Sequence, residues 1–339
     1  MIKEAIAAAV EGKNLSRKES KEVFDEIMQG KTTDAQISAL LVSLRMKGET
    51  SDEITGAAES MREVVAKVQP KVKDKLLDVV GTGGDKKGTI NVSTASAIVA
   101  AGAGCVVAKH GNRSVSSKSG AADVLQKLGV KIELTNVQNA RMIENIGFAF
   151  LFAPAHHPAM KYAIGPRKEI GIRTIFNIVG PITNPANAQT YLLGTYSNDL
   201  AEKIANSFIA LNVEKALVVH GNDGCDEISL CGPTTVFEVG KGKLKKYEIK
   251  PEEFGFDRCR EKDVCVADVG ESAADIRNIF EGKMQGAKRD IIALNAGAAI
   301  YANGKAKSIK EGIKMAEKSI DSRAALEKLE LLINESNKM

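Results

Sequence analysis

Residues 76–108 read LLDVVGTGGDKKGTINVSTASAIVAAGAGCVVA, and this stretch decides the fold. The apolar run 76–80 has the length of a buried strand and ends in a cluster of glycines. Residues 94–101 are rich in alanine and predict a helix, which is followed by Gly102 and Gly104. A second apolar run begins at Cys105. The order strand, glycine turn, helix, strand predicts a βαβ unit with two parallel strands.

Strand and helix patterns continue to alternate along the rest of the chain. Further strands are predicted at residues 148–152, 216–220, 235–239 and 264–267. Residues 290–302 fit either a strand or a helix by periodicity, and their alanine content favours a helix. Residues 324–333 predict a closing helix. The sequence therefore predicts an α/β fold, in which a mostly parallel central sheet is flanked by helices.

The first 65 or so residues predict a small helical N-terminal domain. Three capping boxes begin helices there: Ser16 with Glu19, Thr33 with Gln36, and Thr50 with Glu53. Apolar residues follow each box at helical spacing. Three short amphipathic helices on short loops predict a small bundle, which precedes the larger α/β domain.

Composition and charge narrow the class of protein. The 339 residues include 47 Lys and Arg against 43 Asp and Glu, and the formal charge of +4 is too small to require nucleic acid. Aromatic residues make up 4%, which leaves few platforms for stacking bases. The five cysteines form no C-x-x-C pair, and we find no signal peptide or membrane-length apolar run. We therefore expect reduced thiols in a cytoplasmic protein without a membrane partner.

The first candidate site is the glycine cluster at residues 81–85, GTGGD, directly after the first predicted strand. Its glycines allow close backbone approach to a ligand, and consecutive N–H groups can converge on an anion. Residues 91–94, NVST, begin the predicted helix, where free N–H groups and hydroxyls favour phosphate. A tight strand-to-helix turn with a Ser or Thr cap explains the same residues, and the cluster alone does not decide between these readings.

The second candidate site is the segment 109–120, KHGNRSVSSKSG, after the second predicted strand. It contains four potentially cationic side chains, four hydroxyls and two glycines, but no acidic residue. This position is the carboxyl edge of the sheet, where open α/β folds bind ligands. A solvated basic loop is the alternative, but such loops usually include some acidic residues. The segment therefore favours binding of an anion such as a pyrophosphate group.

The third candidate is the adjacent pair Asp226 and Glu227, which follows the predicted strand ending at His220. Adjacent carboxylates on a loop can coordinate Mg²⁺, which keeps water and substrate phosphates as its other ligands. An isolated acidic pair is more often simply solvated. Its place after a strand end, where it can face the basic segment, favours a metal site.

The fourth candidate is the segment 156–185. Arg167 and Arg173 can each hold a carboxylate in a bidentate grip, and each can equally serve in a structural salt bridge. His156 and His157 lack zinc-site spacing with Cys or a third His, which argues against a metal role.

Five segments closely resemble, in order, the signature segments of anthranilate phosphoribosyltransferases: GTGGD, NVST, KHGNRSVSSKSGAADVLQKLG, HPAMKYAIGPRKEIGIRTIFNIVGPITNP and HGNDGCDEIS. The helical region from Ser16 is also similar to that family, so the resemblance covers essentially the whole chain. It implies transfer of the phosphoribosyl group from phosphoribosyl pyrophosphate to the amine of anthranilate, with release of pyrophosphate, in tryptophan biosynthesis. The resemblance also implies Mg²⁺ as the cofactor and a homodimer formed through the helical domain.

The resemblance also implies how the domains divide and where the site lies. Residues 1–70 and about 160–187 would form the helical domain, and residues 71–159 and 188–339 the α/β domain that binds phosphoribosyl pyrophosphate. The active site would lie at the hinge between them. No dedicated catalytic base is implied, since a neutral aromatic amine needs none, so catalysis would rest on positioning and electrostatics.

Individual residues acquire roles from the same resemblance. Those that would bind phosphoribosyl pyrophosphate are Gly81, Thr82, Gly83, Gly84, Asp85, Thr89, Asn91, Ser93, Thr94, Lys109, Ser114, Ser116, Ser117 and Ser119. Those that would bind anthranilate are Gly81, His110, Asn112, His157, Arg167 and Pro181. Those that would hold the metal are Ser93, Asp226 and Glu227. The family more often has Leu at Cys225, and we expect the same metal binding because both side chains are apolar.

Two other functions fit the sequence less well. Pyrimidine nucleoside phosphorylases share this architecture, but they are typically longer and lack the Asp226-Glu227 and GIRTIFN segments. Such an enzyme would cleave nucleosides with phosphate and without phosphoribosyl pyrophosphate. A non-catalytic paralogue that binds nucleic acid is compatible with the +4 charge, but it has no need for the glycine cluster, the acid pair and Arg167 together. Salt-dependent binding of DNA would mark that function.

Overall fold

The computed structural model describes residues 1–85, 87–113 and 120–339. The chain begins with four helices, α1 (Ile2–Val10), α2 (Arg17–Met28), α3 (Asp34–Lys47) and α4 (Ser51–Val64). All three predicted capping boxes are present, at the N-termini of α2, α3 and α4. Sequence analysis did not predict α1 as a separate helix, because its buried face is mostly alanine. The predicted helical N-terminal domain is confirmed.

A single seven-stranded sheet forms the centre of the larger domain. Its strands are β1 (Leu76–Gly81), β2 (Val106–Gly111), β3 (Phe148–Phe152), β4 (Thr190–Gly194), β5 (Lys215–Gly221), β6 (Thr234–Gly240) and β7 (Lys243–Ile249). Their spatial order is β3-β2-β1-β4-β5-β6-β7. The first five strands are parallel, and β6 and β7 are antiparallel, so the predicted mostly parallel sheet is confirmed. The chain changes direction across the sheet between β1 and β4, which is where open α/β sheets bind ligands.

Eleven further helices occur in the described residues. They are α5 (Val92–Gly102), α6 (Ala121–Lys127), α7 (Asn136–Ile146), α8 (Ala153–His156), α9 (Lys161–Ile170), α10 (Ile175–Val179), α11 (Asn198–Ala210), α12 (Val269–Phe280), α13 (Ala287–Asn303), α14 (Ile309–Asp321) and α15 (Ala324–Lys338). The predicted βαβ unit is β1-α5-β2, and the helices predicted at 290–302 and 324–333 are α13 and α15. None of the helices that the structure describes combines the length and apolar character needed to cross a bilayer.

The strand predicted at 264–267 is wrong. The apolar run there forms one isolated bridge, between Cys265 and Thr89, and does not join the sheet. The N–H of Ile90 donates to the Val264 carbonyl at 2.9 Å, and further backbone pairing fastens this segment to the loop that follows β1. We call residues 256–267 the strap. Val264 and Val266 are buried although they lie outside the sheet, which explains why the sequence pattern resembled that of a buried strand.

The sequence patterns predicted neither the central strand β4 nor the edge strand β7. In β7, the side chains of Lys243, Lys245 and Lys246 are exposed, and Leu244 and Tyr247 are only partly buried. Because β7 has one neighbour and few apolar residues, it lacks the apolar run by which other strands were predicted.

Helices within residues 160–187 pack against the N-terminal helices. The helix α9 packs against α2 and α3, and α10 packs against α3 and α4. Phe176 of α10 makes an edge-to-face contact with Phe24 of α2, with ring centroids 5.5 Å apart. Arg62 of α4 donates to the Ile182 carbonyl at 2.7 and 3.0 Å. These contacts agree with a helical domain formed by 1–70 and 160–187, although the exact division of the chain stays a prediction.

A buried polar network connects the end of this segment to the sheet. The side-chain amide of Asn184 donates to Asp78 Oδ2 and to the Ala108 carbonyl, both at 2.7 Å, and its oxygen accepts from Ala186 N at 2.8 Å. Asp78 Oδ1 accepts from His110 N at 3.1 Å. The backbones of β1 and β2 pair through only two residues each. The side chain of Asp78 therefore links the two strands beyond the end of this backbone pairing.

Replacement of Asn184 by Ala should lower the free energy of unfolding by about 3 kcal/mol. The change removes three hydrogen bonds and leaves buried partners of the amide unsatisfied. Urea denaturation followed by circular dichroism measures the effect. Asn198→Ala, at an exposed position at the start of α11, is the control and should change stability by less than about 0.5 kcal/mol. An equally small loss for Asn184→Ala would contradict this role of the network.

Candidate active site

A cleft of about 520 Å³ lies outside the carboxyl ends of the central strands, with α9 and α10 on its opposite side. Most of the predicted site residues line it: Gly81, Thr82, Gly83, Gly84, Asp85, Thr89, Asn91, Ser93, His110, Asn112, His157, Arg167, Pro181, Asp226 and Glu227. Thr94 and Lys109 are buried beneath its surface. The predicted residues Ser114, Ser116, Ser117 and Ser119 lie outside the described residues. The four candidate segments of the sequence therefore meet in one place.

The loop after β1 forms the floor of the cleft. Gly83 and Gly84 have φ values of +63° and +98°, a region of conformation that favours glycine. The N–H of Thr82 donates to the Gly194 carbonyl at 2.9 Å, so the loop continues the pairing of β1 with β4. The helix α5 begins shortly afterwards, and Asn91, Val92 and Ser93 at its N-terminus line the cleft. This arrangement suits an anion with several oxygen atoms.

Arg173 supports the glycine loop from outside. Its guanidinium donates to the Thr82 carbonyl at 2.9 Å and lies over the ring of Tyr196, 4.6 Å from the centroid. A Cβ atom at Gly84 would overlap the same guanidinium. Of the two roles that the sequence left open for Arg173, the structure thus favours a structural one, although its partner is a backbone carbonyl and an aromatic ring.

The loop that carries the acid pair is packed closely against the strand ends. A Cβ atom at Gly194 would overlap the Asp226 carbonyl oxygen, and one at Gly81 would lie 2.9 Å from Asp226 Oδ2. The side-chain amide of Asn295, on α13, makes two hydrogen bonds to the backbone of Ile228. Asn295 Oδ1 accepts from Ile228 N, and Asn295 Nδ2 donates to Ile228 O, both at 2.9 Å. Sequence analysis missed Gly194 and Asn295, because these contacts join segments far apart in the chain.

Three carboxyl groups come together beside this loop. Burial and the neighbouring Asp85 carboxylate raise the pKa of Asp226 to about 7, and burial together with Asp226 holds the pKa of Glu227 well above its usual range. Asp85 Oδ2 is buried without a hydrogen-bond partner in the described structure. Ligand atoms of Asp85, Asp226 and Cys225 all lie within 4.8 Å of one another. The orphaned oxygen and the crowded carboxyls fit a hard divalent cation, for which carboxylate oxygens are preferred ligands.

Glu227 and Ser93 stand next to this group. Glu227 Oε1 accepts from Ser93 N at 3.2 Å, at the start of α5. Lys109 Nζ lies behind Ser93, where it donates to the Val79 carbonyl at 2.5 Å and to Ser93 Oγ at 3.4 Å. Burial lowers the pKa of Lys109, and the carboxylates of Asp78 and Glu227 oppose this shift. The side-chain nitrogen of Lys109 therefore lies directly beneath the start of α5.

Arg167 occupies the opposite wall, on α9. Its guanidinium lies 5.3 Å from the ring centroid of Phe176, and burial lowers its pKa. Among the residues that the structure describes, Arg167 has no salt bridge with a carboxylate. A partly buried guanidinium that lines a cleft and has no acidic partner is suited to a carboxylate ligand.

Two neutral histidines lie between the two ends of the cleft. The Nε2 atoms of His110 and His157 are 3.3 Å apart, and both rings are buried. Burial lowers the pKa of His157 to about 4, and burial together with His157 holds the pKa of His110 well below its usual range. His156 points away from the cleft, with Nε2 3.3 Å from the Asn139 amide. Both cleft histidines are therefore neutral donors or acceptors at pH 7.

Replacement of Gly194 by Ala should weaken Mg²⁺ binding at least about tenfold. The added methyl group would displace the Asp226 backbone, and a shift of about 1 Å disrupts the octahedral geometry that Mg²⁺ requires. Isothermal titration with MgCl₂ and pyrophosphate measures the affinity. The matched control is Gly232→Ala on the loop that carries Asp226, where a Cβ atom has open space. Equal affinities in the two variants would show that the close packing at Gly194 is unimportant for the metal.

Comparison with known proteins identifies the class of this fold. Residues 73–326 match the model of the glycosyl transferase family α/β domain, and residues 3–65 match that of the glycosyl transferase family helical bundle domain. The two matches cover most of the chain, and the α/β match includes residues 160–187, which pack against the N-terminal helices.

Individual relatives match the chain along almost its whole length. The chain is 51% identical over 332 residues to an anthranilate phosphoribosyltransferase of Persephonella marina, covering 98% of both chains, and 50% identical over 337 residues to one of Acetivibrio thermocellus, covering 99% of this chain and 97% of that one. It therefore belongs to the anthranilate phosphoribosyltransferase family. The comparisons do not support a nucleoside phosphorylase or a nucleic-acid-binding paralogue.

Solved structures of the same family share the fold. The crystal structure of anthranilate phosphoribosyltransferase from Thermus thermophilus has a TM-score of 0.92 and 41% identity, and the match covers 98% of this chain and 99% of that one. The enzyme from Saccharomyces cerevisiae in complex with phosphoribosyl pyrophosphate and Mg has a TM-score of 0.91 and 28% identity, with 100% and 98% covered.

Proposed function

We propose that this chain transfers the phosphoribosyl group from phosphoribosyl pyrophosphate to the amine of anthranilate, with release of pyrophosphate. The observation that carries the proposal is the polarity of the cleft. Carboxyl groups, a helix N-terminus and the buried Lys109 occupy one end, and the unpaired Arg167 occupies the other. One end thus suits a pyrophosphate with its metal, and the other suits a carboxylate on an aromatic ring.

The proposed metal is Mg²⁺, held by Asp226 and Glu227, with Ser93 beside the pyrophosphate. Asp85 supports this assignment, since its orphaned oxygen lies in the same cluster. The bound metal would neutralise negative charge that develops on the leaving pyrophosphate. Cys225 is buried and its thiol is a poor ligand for Mg²⁺, which agrees with the expectation that this position does not alter the preference of the site.

The pyrophosphate and ribose phosphate would bind along the glycine loop and the start of α5. The proposed residues are Gly81, Thr82, Gly83, Gly84, Asp85, Thr89, Asn91, Ser93 and Thr94, together with Ser114, Ser116, Ser117 and Ser119. Backbone N–H groups of the loop would donate to phosphate oxygens, and α5 adds the positive end of its dipole. Lys109 contributes charge from beneath Ser93 and needs no direct contact.

Anthranilate would bind at the opposite wall with its carboxylate on Arg167 and Asn112. Met61, Ile164 and Phe176 line this part of the cleft and offer apolar surface to the ring. The proposed set also includes Gly81, His110, His157 and Pro181. Because both histidines are neutral at pH 7, they would hydrogen-bond to the substrate without adding charge near the amine.

The chemistry would need positioning more than proton transfer. The amine of anthranilate is neutral at pH 7, so its lone pair can attack the anomeric carbon without a general base. The main barrier is the departure of pyrophosphate from a ribose that acquires cationic character. The charged groups at the floor of the cleft would stabilise the negative charge that develops on the pyrophosphate. Arg167 would hold the amine towards the anomeric carbon. Closure of α9 and α10 over the sheet would exclude water, which competes for the same carbon.

The active assembly is proposed to be a homodimer in the cytoplasm, with contact through the helical domain. That domain carries large apolar side chains in contact with solvent, including Val10 of α1 at 72% exposure and Met46 of α3 at 83%. Single exposed apolar side chains also occur on monomers, so the proposed dimer rests on the family resemblance, and Met46 supplies a position at which to test it. Light scattering of the purified chain should therefore give the mass of two copies, and Met46→Glu should shift it towards one.

The direct test follows the intrinsic fluorescence of anthranilate after mixing with the purified protein. A decay that requires both phosphoribosyl pyrophosphate and Mg²⁺ is the expected result. If the folded protein gives no decay with both present, the proposed activity is wrong. Phosphate-dependent cleavage of thymidine or uridine, measured in parallel, distinguishes the phosphorylase reaction.

A further inference from the structure

Two cysteines outside the cleft lie side by side. The Sγ atoms of Cys231 and Cys259 are 3.7 Å apart, which is van der Waals contact between two sulfur atoms. Both side chains are free thiols and partly exposed, so a dissolved reagent can reach them. Because a disulfide has an S–S length of about 2.0 Å, an approach of less than about 2 Å would bring the pair to bonding distance.

Backbone contacts hold the two cysteines next to each other. The N–H of Cys259 donates to the Leu230 carbonyl at 3.2 Å, one residue before Cys231. Cys231 N donates to Ser229 Oγ at 2.9 Å, and that hydroxyl donates to Asp223 Oδ2 at 2.9 Å. The pair is therefore preorganised by the loop after β5 and by the strap, so that ring closure between the two sulfurs loses little conformational entropy.

The other three cysteines have different surroundings. Cys105 and Cys225 are buried, and Cys265 Sγ donates to the Lys87 carbonyl at 3.3 Å. Within the described structure, the sulfur contact between Cys231 and Cys259 is thus the one suited to bond formation. Cys265 provides a natural control, because it is also partly exposed and belongs to the same strap.

We infer that Cys231 and Cys259 form an oxidative modification site, which a small-molecule disulfide such as oxidised glutathione converts to an intramolecular disulfide. The bond would join the loop that carries the acid pair to the strap. The strap in turn pairs with the loop after β1, through Ile90 N to Val264 O and Val266 N to Gly88 O, both at 2.9 Å. The covalent link would therefore connect the loop that carries the acid pair, through the strap, to the loop after β1, and these two loops form the floor of the cleft.

The reaction is a pair of thiol–disulfide exchanges. The thiolate of Cys231 attacks one sulfur of the oxidised glutathione, forms a mixed disulfide and releases one glutathione thiolate. The thiolate of Cys259 then attacks the Cys231 sulfur and releases the second glutathione thiolate. The two protons from the cysteine thiols end on the two glutathione molecules. Burial and the neighbouring Cys231 thiol raise the pKa of Cys259, so the exchange speeds up with rising pH.

The test incubates the folded full-length chain with oxidised glutathione at pH 8.5 and measures its intact mass. The expected product is lighter by about 2 Da, the mass of two hydrogen atoms. Tryptic mapping without reduction should give one cross-linked peptide pair that contains Cys231 and Cys259. The thermal midpoint should rise by about 3 °C or more, and dithiothreitol should reverse both changes.

The variants make the test specific. Cys265→Ser should retain the loss of mass and the higher thermal midpoint, whereas Cys259→Ser should stop at the glutathione adduct of Cys231. The inference is overturned if the folded chain keeps its full mass, or if the cross-linked peptides contain Cys265 in place of Cys259.

Discussion

The double substitution Asp226→Asn with Glu227→Gln should lower kcat/KM by about 10³-fold or more, even at high Mg²⁺. Both replacements keep the size of the side chain and remove its negative charge. In the structure, these carboxyls lie beside Asp85 and the start of α5, where few other groups could hold a divalent cation. Steady-state assay by anthranilate fluorescence, across a range of Mg²⁺ concentrations, measures the loss.

The chain offers a matched control for this experiment. Glu252 and Glu253 are also adjacent acidic residues, but they are exposed in a short turn before the strap. The double substitution Glu252→Gln with Glu253→Gln removes the same charge far from the cleft and should change kcat/KM by less than about twofold. Full activity of the Asp226 and Glu227 double variant would show that these two residues do not hold the metal.

The substitution Arg167→Met should raise the KM for anthranilate about 100-fold, with little change in the affinity for phosphoribosyl pyrophosphate. A hydrogen-bonded ion pair in a buried site contributes about 1.5–3 kcal/mol, which corresponds to a change of this order. Initial rates at varied anthranilate, with the second substrate saturating, provide the measurement.

Two further variants define the role of Arg167. Arg167→Lys keeps the charge but cannot make the planar two-point contact, so its KM should lie between those of the original and Arg167→Met. Lys168→Met removes an exposed charge on the same helix and should leave KM unchanged. If Arg167→Met alters the affinity for phosphoribosyl pyrophosphate and leaves that for anthranilate intact, the proposed orientation of substrates is reversed.

The predictable parts of the fold are those with strong local signals. The capping boxes at Ser16, Thr33 and Thr50 placed three helices, and the apolar runs of buried parallel strands placed β1, β2 and β3. The edge strand β7 was missed because its exposed side chains are charged, so that the strand contains no continuous apolar run. The run at 264–267 was misread because burial under a loop and burial in a sheet select the same apolar residues.

The candidate site was predictable where chemistry is concentrated in short segments. The glycine loop, the 109–120 segment and the acid pair each combine charged or polar groups with a strand end, and the structure brings the described parts of all three into one cleft. The supporting residues were not predictable in this way. Gly194 and Asn295 are ordinary residues in the sequence, and their roles arise from contacts between segments about 30 to 70 residues apart in the chain.

The lysines of β7 have a consequence for behaviour at high concentration. An unpaired strand at the border of a sheet can recruit the same strand from another molecule and start edge-to-edge aggregation. Lys243, Lys245 and Lys246 would place like charges against one another in such a contact, which makes it unfavourable. The charged border at β7 should therefore discourage polymerisation of newly synthesised chains through this edge of the sheet.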